Sequence, residues 1–263
     1  MSEMLTLFSH SFIAAALLSV AIAIIGPLML INRSTYLAAS IAHGSYGGVG
    51  IAIYLGISIL LGATFFALAL AALLAYLTLR NAKHLDVTIG VLWALGMSIG
   101  IIFIDLTPGY RSDLLAYLFG DILLVPKSDL VYMVGVDVLL LLFMGRYYHH
   151  LLAMAYDREF ALARGVRVGF LHTLLLLLMA LTIVMSIRSI GLILVIALFS
   201  VPPFVAERFA RDFRQTILLS GVLAFAMMVA GLVAAYKLDI SATAAIILVA
   251  SLLFFLSLLK GRA

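Results

Sequence analysis

The chain has 263 residues, 66% of them hydrophobic, with sixteen Lys or Arg, twelve Asp or Glu and no cysteine. A soluble domain carries about 25% charged residues. The 11% found here excludes an ordinary soluble enzyme, since one core could not hide this much apolar surface whereas a bilayer accepts it. The bases lie between long apolar runs rather than on one patch, which speaks against nucleic acid and for membrane topology. Without cysteine there is no disulfide, thiolate metal site or Cys nucleophile.

Runs of about 20 mainly apolar residues suffice to cross the hydrocarbon core. They predict nine spans, at 11–31, 37–59, 61–79, 87–104, 129–145, 169–186, 189–206, 215–236 and 240–259, or eight if two neighbours form one broken helix. No Lys or Arg precedes the first run, as a signal peptide requires, so it is expected to be retained. Segment 114–124, which contains Asp121, is too short to span and reads as re-entrant or interfacial. With the N-terminus outside and the C-terminus cytoplasmic, twelve of the sixteen bases fall on the cytoplasmic side, and Arg111, Lys127, Arg188 and Lys237 stay outside. That asymmetry is what the positive-inside rule favours. The fold class is therefore an all-α polytopic membrane protein, with one transmembrane domain over residues 1–263.

The second span carries His43 on a face of small residues, where Ser40, Gly44 and Gly48 recur every fourth position. Such a face lets another helix approach closely. An ionisable group about two turns into a span marks a functional site by default, so His43 is a candidate pathway residue and metal ligand. The alternative is a histidine bonded to a neighbouring helix. Asp137 lies mid-span in VYMVGVDVLLLLF and is expected to face the bundle interior, paired with a hydroxyl or with His172, or lining a path. The eleven methionines are spread through the spans, as packing residues are.

The longest cytoplasmic segment, 146–168, is too polar to span. From 157 to 163 it reads as a short helix with Asp157 at its N-cap, Glu159 in its first turn, and Arg164 and Gly165 at its end. Acid first and base last suit the helix dipole. Phe160 and Leu162 are the apolar side chains it would present, either to headgroups as an amphipathic surface helix or to a soluble protein as a docking helix. Further on, an apolar run enters Pro202 and Pro203, which remove backbone donors and break or kink a helix. That site is either a structural kink or a gate. There is no P-loop and no H-E-x-x-H, and nothing in the chain resembles a soluble catalytic module. An ion-coupled secondary transporter would need more intramembrane acids or broken helices than Asp137 and His43 supply.

Three blocks together resemble the metal-type permease subunits of bacterial ABC importers, which carry zinc, manganese or iron. They are IGPLMLINRSTYLAASIAHGSYGGVGIAIYLG at 25–56, the stretch from TIGVLWALGMSIGIIFI to SDLLAYLFGDILLVPKSDL at 88–130, and YDREFALARGVRVGFLHTLLLLLMALTIVMSIRSIGLILVIALFSVPPFVAERFARDF at 156–213. The C-terminal YKLDISATAAIILVASLLFFLSLL is similar to the family's closing helix. The resemblance implies a multi-pass protein of a bacterial-type inner membrane, forming a homodimeric pore. Each half would dock on a separate ATP-binding cassette subunit and receive its ion from an extracytoplasmic metal-binding protein. This chain would bind no cofactor, ATP being used by its partner. The resemblance also implies that YDREFALARGV is the coupling helix, placing Asp157, Glu159, Phe160 and Gly165 against the ATPase. In many relatives an Asp stands four residues before the histidine; here that position is Ala39. Where relatives often have Pro and Gly in the closing segment, this chain has Ile240, Ser241 and Ala242. Permeases for iron chelates share the architecture but are usually longer.

Overall fold

Backbone groups inside a bilayer find no water and must pair within their own segment, so apolar runs close into helices. The computed structural model describes residues 9–80, 85–108, 120 and 122–259, and every long element among them is helical. The helices are α1 (Ser9–Ile31), α2 (Thr35–Gly44), α3 (Tyr46–Leu55), α4 (Ile59–Arg80), α5 (Leu85–Asp105), α6 (Lys127–Tyr156), α7 (Arg158–Ala163), α8 (Val168–Phe209), α9 (Phe213–Leu238) and α10 (Ala242–Leu259), with a 3-10 turn at Ile122–Leu124 before α6. Seven of the described helices are long and apolar enough to cross a membrane. Seven differs from nine for two reasons. The run at 37–59 is two ten-residue helices meeting at Ser45, and the runs at 169–186 and 189–206 belong to one helical stretch. Of segment 114–124, residues 114–119 and 121 lie outside the described residues, and its end forms the 3-10 turn.

The chain divides into two compact units. One comprises residues 33–114 and 147–184 and contains α2 to α5, the end of α6, α7 and the first part of α8. Within it, α2 and α3 pack on α4 and α5 through glycines. A methyl group on Gly48 would collide with the Gly62 carbonyl of α4, and one on Gly50 with Gly100 of α5. Gly44 likewise meets Gly96 of α5 backbone to backbone. In lipid there is no hydrophobic drive between helices, so close backbone approach supplies the contact energy. The Ser40 hydroxyl adds a hydrogen bond to the Ile89 carbonyl of α5 at 3.1 Å.

The other unit comprises residues 1–32, 115–146 and 185–263. There α1 packs on α9, α9 packs on α10, and the 3-10 turn touches α1 and α10. Helix α9 starts at Asp212, whose carboxylate accepts from the Gln215 N–H at 2.8 Å, while the Gln215 side chain accepts from the Arg211 N–H at 2.9 Å. These bonds satisfy donors that a helix N-terminus leaves free.

Helix α8 runs through both Pro202 and Pro203 to Phe209, and its helical dihedrals are interrupted instead at Gly191 (φ 76°, ψ 163°). The prolines, read from the sequence as a break or a kink, stay within the helix, and the non-helical residue lies eleven positions before Pro202. Pro203 has a different use. Its ring and the Phe199 carbonyl, which loses its usual donor at position 203, face Gly26 of α1, where a side chain could not fit. Beside the break, the backbone of Gly120 (φ 58°) lies against Ile190 and Gly191, so a methyl group at 120 would collide with the Gly191 amide nitrogen. Three residues before it, Arg188 Nε bonds the buried Asp129 carboxylate at 3.0 Å. That ion pair ties the start of α6 to the break.

Candidate functional site

A helix of six residues cannot hold itself together by propensity alone, so α7 depends on its ends. Asp157 is its N-cap, extended in backbone (φ −149°, ψ 103°), and its carboxylate accepts from the Phe160 N–H at 2.9 Å. At the other end Gly165 is left-handed (φ 76°). Its N–H donates to the Leu162 carbonyl at 2.9 Å, and the Val166 N–H donates to Ala161 at 3.0 Å. This pair of bonds is the Schellman closure that glycine favours. The short helix read from the sequence is thus present with the expected cap and stop.

Helix α7 turns Ala161 inward, fully buried, and leaves Phe160 and Leu162 outward at 50% and 54% exposure, with Tyr156 beside them at 71%. The Arg164 guanidinium lies over the Phe160 ring at 5.2 Å. Glu159 sits in the first turn, where its charge suits the helix dipole. The result is a firmly capped helix with an aromatic, an aliphatic and an acid on its outer side. It is tied to α6 by the Asp157 N–H to the Ala153 carbonyl (3.0 Å) and leads into α8, where the Leu171 N–H meets the Arg167 carbonyl (3.1 Å).

His43 lies in the last turn of α2, half-buried. Its imidazole stacks on the indole of Trp93 in α5, with ring centroids 3.8 Å apart and planes at 16°. The indole N–H in turn donates to the Met97 sulfur at 3.3 Å. Nδ1 of His43 is buried with no hydrogen-bond partner. Ala39 is buried one turn earlier on the same helix and offers no ligand atom.

Asp137 lies on the buried stripe of α6 with Met133, Val136 and Leu140, at 5% exposure, and neither carboxylate oxygen has a partner. Of the alternatives the sequence leaves open, a bond to a hydroxyl or to His172 is not formed. His172 Nε2 bonds the Thr78 hydroxyl of α4 at 2.7 Å instead. Among the described residues no three His, Asp, Glu or Cys side chains come together as a metal-binding group. The structure therefore assembles the α7 residues as one surface, while His43 and Asp137 stand in different units.

Sequence reasoning missed Trp93, Met97, Gly191 and the Asp129–Arg188 pair. The signals were one tryptophan in an apolar span and Gly96 and Gly100 spaced like Gly44 and Gly48, which stand on the facing helices α2 and α3. For Gly191 no local signal exists, because a glycine in an apolar helix is common.

Long apolar helices, exposed apolar side chains such as Phe65, Leu142 and Leu252, and one capped polar helix between two candidate spans mark a polytopic membrane protein. The chain belongs to the ABC 3 transport family, whose model matches residues 4–261. It is 38% identical over 253 residues to an uncharacterized membrane protein of Synechocystis, covering 96% of this chain and 90% of that one. It is 30% identical over 248 residues to the manganese import system permease protein ScaB of Streptococcus gordonii, covering 94% and 89%. Among solved structures, PsaBC from Streptococcus pneumoniae in complex with Fab superposes with a TM-score of 0.83 at 28% identity, over 95% of this chain and 90% of that one. The resemblance to metal-type ABC permeases drawn from the residue blocks is borne out.

Proposed function

We propose that this chain is the membrane-spanning subunit of an ATP-driven importer for a divalent transition metal, with manganese the first cargo to test and zinc and iron next. The observation that carries this reading is α7. A six-residue helix capped at both ends, with Phe160 and Leu162 turned outward, suits a rigid contact with a soluble protein, and the chain has no P-loop of its own. Family membership and the manganese-import relative support the cargo class. The protein would catalyse no reaction itself. ATP would be bound and hydrolysed in a separate cassette subunit, an extracytoplasmic metal-binding protein would deliver the ion, and two copies of this chain would form the pore in a bacterial inner membrane with the N-terminus outside.

Switching a pathway between inward and outward access needs a source of differential free energy. ATP binding in the partner would supply it by moving α7, which is bonded into the long helices α6 and α8 and would carry them with it. Asp157 and Gly165 keep α7 rigid during that motion, while Glu159 and Phe160 make the contact. Pro202 and Pro203 would serve as the gate segment within α8. Asp137, buried without a partner, is a candidate pathway acid. His43 is the candidate ligand to the passing ion.

Proteoliposomes that hold this chain with its ATPase test the reading. Uptake of Mn2+ should require ATP and be abolished in the double variant Glu159→Arg with Gly165→Pro, which should also lose the bound ATPase. Uptake that persists without the ATPase would establish an ion-coupled secondary transporter instead.

A further inference from the structure

A histidine that ligates a metal ordinarily donates its second ring nitrogen to a carboxylate or a carbonyl, which sets the tautomer and the angle of the ring. His43 lacks that device. Among the described residues neither of its ring nitrogens has a hydrogen-bond partner, Nδ1 being the buried one, and the residue one turn earlier is Ala39. Its ring plane is fixed in another way, by lying flat on Trp93 at 3.8 Å with 16° between the planes.

The platform is itself held. The indole N–H is tied to the Met97 sulfur at 3.3 Å, one turn along α5. The two helices are locked at this level by the Ser40 bond to Ile89 at 3.1 Å and by the backbone contact of Gly44 with Gly96. Glycine at both positions lets α2 and α5 approach backbone to backbone at the level of the two rings. Ordinary core packing would give a stack without leaving a ring nitrogen buried and unsatisfied, which is a costly arrangement. It makes sense for a ligand atom kept free for an incoming ion.

Resting on the metal-permease reading above, we propose that Trp93 is the positioning residue that orients His43 as a ligand of the transported ion, a flat aromatic platform standing in for an acidic partner. Orientation without a carboxylate gives the ion a neutral nitrogen and no local counter-charge. Such a site holds a divalent cation loosely and releases it readily, as conduction through successive sites requires.

The chain has one tryptophan, so the indole emission of the purified full chain in liposomes reports on this stack alone. Titration with MnCl2 should quench that emission saturably in the wild type and not in His43→Ala. In proteoliposomes with the ATPase, Trp93→Leu should raise the KM for Mn2+ about tenfold with kcat kept within about twofold, the pattern of a lost binding interaction rather than a lost fold. Trp93→Phe, which keeps a flat ring but loses the bond to Met97, should bring KM back to within about threefold of the wild type. If the assembled importer moves no metal, the permease reading and this proposal fall together. If it imports metal while Trp93→Leu keeps the wild-type KM and MnCl2 leaves the wild-type emission unchanged, the stack has no part in binding and this proposal alone is overturned.

Discussion

Gly191→Ala perturbs the one position in α8 where helical geometry stops. A φ of 76° with ψ of 163° falls in a region essentially reserved for glycine, where another residue costs about 1–3 kcal/mol. The helix cannot escape that strain by straightening. Its 42 residues would reach about 63 Å at 1.5 Å per residue, roughly twice the ~30 Å hydrocarbon core. Cut at Gly191, each limb is about one membrane thickness long. The strain therefore falls on the native state and should lower the melting temperature by about 2–12 °C, from roughly 2–4 °C per kcal/mol for a chain of this size. Since the protein has no cysteine, Ser11→Cys provides a reporter thiol. Ser11 is fully buried and its hydroxyl has no partner, so the exchange sacrifices no hydrogen bond, and a thiol-reactive dye reads unfolding directly. Gly120→Ala should act alike, because its methyl group would strike the Gly191 backbone. The two together should be less than additive, as they damage one contact. Gly135→Ala, with open space around it, is the control and should melt at or above the wild type. Wild-type melting in both Gly191→Ala and Gly120→Ala would refute the reasoning.

Other outcomes follow from single contacts. Asp157→Ala removes the α7 cap, worth about 1 kcal/mol, and should weaken ATPase binding in a pull-down while lowering the melting temperature by no more than about 4 °C. Arg188→Gln leaves the buried Asp129 carboxylate unpaired and should destabilise by about 1–3 kcal/mol, more than the double variant with Asp129→Asn; a thermal double-mutant cycle checks this. Gly100→Leu should abolish folded protein on size-exclusion chromatography, since its side chain would enter the Tyr46 backbone, whereas Gly90→Leu, with nothing nearby, should not.

What the sequence made legible was local. Apolar runs forecast the spans because each helix pairs its own backbone, and α7 was readable because Asp157 and Gly165 close its two ends through bonds to near neighbours. What escaped was set by contacts far apart in the chain. The stack joins His43 to Trp93 across fifty residues, and neither ring carries a local mark of the other. A break or kink was expected at Pro202 and Pro203 because proline disturbs a helix on its own, whereas Gly191 carries no such mark. Gly191 takes its conformation only where the backbone of Gly120, seventy residues earlier, lies against it. Asp137 was rightly expected to be buried; its partner was left open between a hydroxyl and His172, and neither of its oxygens is bonded, while His172 bonds the Thr78 hydroxyl.

The central claim is that this chain passes a divalent metal ion only when a separate ATPase drives it through α7. The most direct measurement is the initial rate of 54Mn2+ uptake into proteoliposomes containing the chain, with and without its ATPase and ATP. The account predicts uptake that needs all three components and is lost in Glu159→Arg with Gly165→Pro. Equal uptake in liposomes holding this chain alone would contradict it.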